Sequence, residues 1–378
     1  MNREGIPHPS AFIPASLTGA IRDLAPEAEK SGRLHPQQLS IIYEQKWFNL
    51  YVQEEYGGLA LSLPEGLKIQ EGLAWADGST GWTVTLCSGA NWFAGFLKKE
   101  IAKSLFKDPK VCLAGSGRPS GIAKRTSNGY TITGSWDHAS GAPHATAFTA
   151  NCLIEEEGVS VCNADGGPLV RAFVFLREEV IVKENWRSIG MIATASHRFQ
   201  VKQLEVTEER CFTIDGSHAV ISSPLYQYPF MQLAEATLAV NSSGMAARFI
   251  EIGGGIMSER AAYKNEKAGS KSEGTGSLLL PICEAKDKLQ DLREAFYTAV
   301  RFSWESNLLN RPIPKVLLDE VSRTSRNLAA GARQLVDDLY PLCGLIAADP
   351  ITEINRVWRN LHTASQHSLL AYAGKANS

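Results

Sequence analysis

Apolar residues recur at helix spacing through the first hundred positions: Leu17, Ile21, Leu24 and Ala28, then Leu39, Ile42 and Tyr43, then Trp47 and Leu50. Gly57 and Gly58 break the pattern in EEYGGLALS (Glu54–Ser62). Ser62-Leu63-Pro64-Glu65, with Pro in the first turn and Glu behind it, predicts a new helix running to Gly78. Further helices are predicted from Ser79 or Thr80 through Trp82 and Leu86, and from Lys98 to Phe106. The period then changes. Between Val111 and Val206 the runs TITGSW, ATAFTANCLI, LVRAFVFL, EVIVKENW and HRFQVKQLEV are short, β-branched or aromatic, and separated by turn residues such as Ser127–Gly129. They predict a compact sandwich or barrel. After Ser217 helical spacing returns over Phe230–Met257, Leu278–Leu309, Ile313–Tyr340 and Ile351–Tyr372, with a polar glycine-rich loop at Gly269–Ser277. The first of these helices is rich in Ala, Ser and Gly, which lets a neighbour approach closely. The pattern predicts an α+β chain, mainly α, in three parts: helical over 1–108, β over 109–217, and a four-helix bundle over 218–378.

Composition narrows the function classes. The 378 residues carry 38 Lys+Arg and 40 Asp+Glu, a formal charge of -2, so no basic footprint points to nucleic acid. The most apolar long segment, Thr237–Met257, is interrupted by Asn241, Arg248 and Glu251, which predicts a buried helix and no membrane span. MNREGIPHPSAF has no apolar core of signal-peptide length. The seven Cys stand apart, without a CxxC pair, and predict reduced thiols in the cytoplasm and no metal site.

Five stretches carry a family resemblance in chain order. VQEEYGGLALS (Val52–Ser62), EGLAWADGSTGWTV (Glu71–Val84), GYTITGSWDHASGAPHATAF (Gly129–Phe148), WRSIGMIATASHRFQVKQLEV (Trp186–Val206) and ITEINRVWRNLHTASQH (Ile351–His367) resemble, over nearly the whole chain, the landmarks of acyl-CoA dehydrogenase-like flavoproteins. W-x-x-A-S-G-x-x-H-A (Trp136–Ala145) and the C-terminal RVWRNLHTASQH are closest to the oxygenase components of two-component flavin monooxygenases of the 4-hydroxyphenylacetate hydroxylase type. The resemblance implies an N-terminal helical domain, a central β-barrel and a C-terminal four-helix bundle. It also implies a flavin, FAD or FMN, arriving reduced as a co-substrate from a separate reductase, a small-molecule substrate, and a homotetramer.

The same resemblance nominates residues. Ser140 matches the hydroxyl that faces flavin N5, with Trp136, His138 and Gly141 in the same segment and Ser116 in the loop GSGRPSGIA (Gly115–Ala123). That loop lacks the acidic residues of the dehydrogenases' TEPxxGSD, and their FAD-pyrophosphate elements have no counterpart near Arg260–Tyr263 or Leu335–Gly344. The dehydrogenases' C-terminal Glu falls on Ser368, and no Asp or Glu follows Glu353. Two replacements are open. Glu235 on the first bundle helix would serve an acyl-CoA dehydrogenase reading. His367 would supply a donor or base, since Arg356, Asn360, Thr363 and His367 fall at steps of 4, 3 and 4 and so share one helix face. His144 shares the Ser140 loop. Arg359-Asn360 replaces the family's Arg-Asp and is expected to serve packing. Ala90-Asn91 stands where phenol-hydroxylating relatives carry His, which argues against simple phenol hydroxylation, and Trp92 is expected to be core.

Overall fold

The computed structural model describes residues 5–268 and 274–370. Five helices come first: α1 (Ala15–Ser31), α2 (Pro36–Glu44), α3 (Leu63–Ala76), α4 (Gly78–Asn91) and α5 (Lys99–Phe106). The start of α3 is a reciprocal cap, in which Glu65 Oε2 accepts from the Ser62 amide at 2.9 Å and Ser62 Oγ accepts from the Glu65 amide. Asp77 ends α3 and caps α4, accepting from Thr80 N and Thr80 Oγ1, each at 2.8 Å.

Eight strands follow: β1 (Leu113–Thr126), β2 (Gly129–Ala139), β3 (Ala147–Glu156), β4 (Val159–Ser160), β5 (Val170–Leu176), β6 (Ile181–Lys183), β7 (His197–Thr207) and β8 (Cys211–Phe212). They pair in the order β6-β7-β2-β1-β3-β5-β8, with β4 beside β3. Only β1 and β3 run parallel among these pairs. The expected barrel takes the form of one curled sheet, since no ladder among the described residues joins β6 to β8. Its interior is a cluster of Tyr130, Trp136, Phe148, Phe173, Phe175 and Phe199.

The last third is helical: α6 (Pro224–Gln227), α7 (Phe230–Ala268), α8 (Gly274–Asn307), α9 (Lys315–Cys343), α10 (Leu345–Ala348) and α11 (Glu353–Ala364). α7 packs on α3, and a Cβ at Gly244 would stand 2.3 Å from the carbonyl oxygen of Glu71. That contact realises the small-residue approach expected of α7. Beside it, Glu71 of α3 and Arg293 of α8 form a fully buried ion pair, with Nε–Oε1 at 2.8 Å and Nη2–Oε2 at 3.0 Å. Ser243 of α7 and Tyr297 of α8 donate to the same carboxylate. The glycine-rich stretch predicted at Gly269–Ser277 lies outside the described residues over 269–273, and α8 has begun by Gly274.

The last helix is shorter than its periodicity suggests. α11 ends at Ala364, whereas a helix was expected through His367 to Tyr372, of which 371 and 372 lie outside the described residues. Ser365 Oγ donates to His362 O at 3.0 Å, taking a carbonyl that the next helical amide would use. The amides of Gln366 and His367 instead reach back three residues, to Thr363 O and Ala364 O. His367 therefore stands on a tight turn beyond the helix and does not extend the face of Arg356, Asn360 and Thr363.

Candidate active site

Two turns of the sheet domain meet at the base of the site. The first follows β2. Its ladder with β7 runs to Trp136↔Phe199 and resumes at Ala139↔His197, and the bulge between re-aims the chain. His138 sits there at φ +67°, a conformation rare for a side-chain-bearing residue, with its ring exposed and edge-on to Trp186 at 5.7 Å. Gly141 follows at φ +78°, and a Cβ on it would meet Cys87 Sγ at 2.7 Å, so glycine is required twice over. The second turn, Gly190–Ser196, precedes β7 and holds two further left-handed non-glycine residues, Met191 (φ +54°) and Ala195 (φ +46°). Gly141 N donates to Thr194 O at 2.8 Å and locks the turns together.

A chain of three buried hydroxyls links them more specifically. Ser140 Oγ lies 2.8 Å from Ser196 Oγ, which lies 2.7 Å from Thr194 Oγ1, which donates to Met191 O at 2.8 Å. Each hydroxyl has one proton. Because a carbonyl can only accept, the Thr194 proton goes to Met191 O. Ser196 must then donate to Thr194, and Ser140 to Ser196. Ser140 Oγ is left with free lone pairs, an acceptor for an incoming N–H.

Above the turns, α4 and the C-terminal segment approach. The ring of His367 lies 5.9 Å from that of Trp82, edge-on. Burial, and secondarily the neighbouring His138, holds the His367 imidazole below its ordinary value of 6.5. Its Nδ1 accepts from Leu369 N at 3.3 Å, which assigns the neutral proton to Nε2. His367 is thus a neutral N–H donor at Nε2, and the two roles left open by its residue type reduce to one.

Three other nominees stand elsewhere. Trp136 points into the sheet interior, stacks on Phe199 with centroids 5.1 Å apart and donates Nε1–H to Asn151 O at 3.0 Å. The absent side chains of Gly121 and Gly134 make room for its ring, so it is core and not a flavin contact. Glu235 turns towards α9, where its Oε1 pairs with Arg326 Nη1 at 2.6 Å, and its second oxygen is buried without a partner. The carboxylate is thus spent on joining α7 to α9. Ser116 is half-buried on β1, where the β1–β3 register shifts between Ser116 and Gly121.

His144, four residues past Ser140, has a buried Nε2 without a partner, and burial with nearby Arg33 lowers its pKa to about 4. Asn91 is fully buried and structural, donating to Asn49 Oδ1 and Val111 O and accepting from Leu113 N at 2.8 Å. It joins the helical segment to β1 and offers nothing to a substrate. Trp92 is core, as its aromatic setting against Phe230 requires. Sequence reasoning passed over Thr194 and Ser196 as site residues, although both lie in the quoted stretch Trp186–Val206.

Comparisons with known proteins show what the whole chain is similar to. Residues 233–372 match the family model described as acyl-CoA dehydrogenase, C-terminal domain. The chain is 24% identical over 359 residues to an indole-3-acetate monooxygenase of Pseudomonas putida, covering 94% of this chain and 89% of that protein. It is 25% identical over 372 residues to HsaA of Mycobacterium tuberculosis, the oxygenase subunit of a flavin-dependent monooxygenase, covering 93% and 89%. The solved HsaA structure superposes with a TM-score of 0.86 over 94% of this chain and 92% of HsaA, at 22% identity. XiaF from Streptomyces, solved with FADH2 and glycerol, superposes with a TM-score of 0.77 over 94% and 91%, at 21% identity.

Proposed function

Because the chain belongs to the acyl-CoA dehydrogenase-like flavoproteins, on the side of the flavin-dependent monooxygenase oxygenase subunits, we propose that it is a flavin-dependent monooxygenase component acting on a small organic substrate. The observation that carries the reading is the direction of the hydroxyl chain. Ser140 is presented as an acceptor. A reduced flavin carries N5–H and matches it, whereas an oxidised flavin offers a bare acceptor nitrogen at the same place.

The donor set fits the group. Ser140 would hold the N5 edge, and the His138–Trp186 ring pair at the mouth of the same turn would flank the ring system. Reduced flavin supplies the activation of O₂, chemistry that no side chain possesses. His367 contributes a positioned, neutral Nε2–H towards developing negative charge on oxygen, and the close packing of Trp82 against it limits water. Arg260, in the stretch where the dehydrogenases' FAD-pyrophosphate arm has no counterpart, is committed to the end of α9, donating to Leu342 O and Cys343 O. That supports a flavin that exchanges, delivered by a separate reductase. The dehydrogenase reading has no such support, since its base, Glu235, is paired with Arg326.

Cysteine chemistry fits the cytoplasm, as all seven Cys are free thiols. Among the described residues, no helix is long and apolar enough to cross a membrane. The assembly we propose is a homotetramer, supported by the apolar surface around α10.

The test is anaerobic binding followed by mixing with O₂. The protein should bind reduced FMN or FAD more tightly than the oxidised form. On mixing with O₂ it should impose a lag before free oxidised flavin appears. Equal affinity for both redox states and no lag would defeat the reading.

A further inference from the structure

The hydroxyl chain ends on Met191, and Met191 is held by a residue with no other evident task. Asn360 of α11 is buried, and its Oδ1 accepts from Met191 N at 2.6 Å. The contact crosses from the helical bundle to the strained turn, where Trp186 Nε1 also donates to Met191 O at 3.0 Å. Backbone presses on backbone here, for a Cβ on Gly190 would lie 2.1 Å from Arg359 O and 2.6 Å from Asn360 N. From the other side Gly78 packs against Asn360, closely enough that a Cβ on it would lie 3.1 Å from Asn360 Cβ and Nδ2. Arg359 adds a second tie, donating from Nη1 to Ile189 O at 2.7 Å.

We infer that Asn360 is a positioning residue that sets the redox preference of the flavin site. By fixing Met191 in the left-handed conformation, it aims Met191 O at Thr194 Oγ1. That carbonyl fixes the direction of every proton in the chain, Thr194 to Met191, Ser196 to Thr194 and Ser140 to Ser196, and so makes Ser140 an acceptor. Without the clamp, a left-handed non-glycine residue relaxes. The chain then loses its terminal acceptor, and Ser140 becomes free to donate. The site would stop discriminating N5–H from bare N5. The inference rests on the reading that Ser140 faces flavin N5, and it extends that reading to a residue on a different domain.

The experiment measures the ratio of reduced to oxidised flavin affinity by anaerobic titration with FMN and with FAD. Ser140→Ala tests the underlying reading and should lower the ratio about fivefold to tenfold, the worth of one hydrogen bond. Asn360→Leu should lower it by a similar factor, while Asn360→Asp, which keeps an acceptor oxygen, should retain it. Thr194→Val leaves α11 untouched and should lower the ratio as well, which keeps the test alive if Asn360→Leu fails to fold. Combining Ser140→Ala with Thr194→Val or Asn360→Leu should add nothing, because both act through one hydroxyl. A purely structural role would weaken both redox states together and leave the ratio unchanged. If Ser140→Ala shifts the ratio and neither Asn360→Leu nor Thr194→Val does, the positioning role is refuted and the flavin reading stands. If Ser140→Ala leaves the ratio unchanged, the flavin reading fails and the inference falls with it.

Discussion

His367 and His144 are both half-buried imidazoles with depressed pKa values, yet their surroundings give them different consequences. His367 accepts at Nδ1 and is a donor at Nε2 when neutral, and protonation would turn Nδ1 into a second donor facing Leu369 N–H. Its charged form is therefore opposed by geometry as well as by burial and His138. With its pKa held below 6.5, the neutral donor is the major form at all higher pH values. The oxygenation rate should show no ionisation from His367 between pH 6.5 and 8. His367→Ala should slow oxygenation about 10- to 100-fold, the worth of a hydrogen bond to a charged group. His367→Asn, which can donate, should recover part of it, as single-turnover stopped-flow measurements would reveal. His144 acts on stability. Its folded pKa is about 4 against about 6.5 unfolded, so between these values the unfolded chain binds more protons and stability falls as pH falls. The loss from this group is about 2 kcal/mol by pH 5 and approaches about 3 kcal/mol near pH 4. Urea midpoints at pH 7 and pH 5 should differ less in His144→Leu than in the parent. An equal difference would remove His144 as the cause.

Glu71 shows how a single carboxylate can join three elements. It belongs to α3, pairs with Arg293 of α8 and accepts from Ser243 of α7, all out of solvent. Glu71→Gln would leave the Arg293 guanidinium buried without its counter-charge, and removing one partner of such a pair costs about 3–5 kcal/mol. Chemical denaturation should report a loss of that size, and Glu71→Leu with Arg293→Met should be less damaging than the single change. None of this network was visible in the sequence, where Glu71 and Arg293 lie 222 positions apart and nothing in the spacing pairs them. What periodicity did convey was the element order: α8 and α9 carry long stripes of apolar residues, and the strand runs between Val111 and Val206 alternate with turns. It failed at the end of α11, because Ser365 diverts a carbonyl by a side-chain bond that the 3.6-residue repeat does not encode. The resemblance, for its part, nominated Trp136, which is adjacent to the flavin motif in sequence but turns into the sheet interior. Motif resemblance nominated Ser140. Only the coordinates could orient its proton, since that depends on Met191 and on Asn360, 169 residues further along.

At the scale of the whole molecule, the Gly190–Ser196 turn is tied through Arg359 to an exposed apolar surface. Leu345 is 88% exposed and Ile351 83%, with Leu342 and Ile346 beside them in sequence around α10. Arg359 ties this surface to the site, donating to both Ile189 O and Pro350 O, and Ile189 is itself exposed. Large aliphatic side chains in this number cost solubility unless something covers them, and covering each contributes about 1.5–3 kcal/mol. The proposed occupant is a second copy of the chain within a homotetramer. Leu345→Glu together with Ile351→Glu would place two charges in that contact, where burial without partners is costly. Light scattering after size exclusion should then show a mass below that of the parent assembly, with the helical content by circular dichroism unchanged. Because the covered surface backs onto Ile189 and Arg359, the smaller species should also bind reduced flavin more weakly than the parent. A parent protein that elutes as a monomer, or a double variant whose mass is unaltered, would remove these residues from the interface.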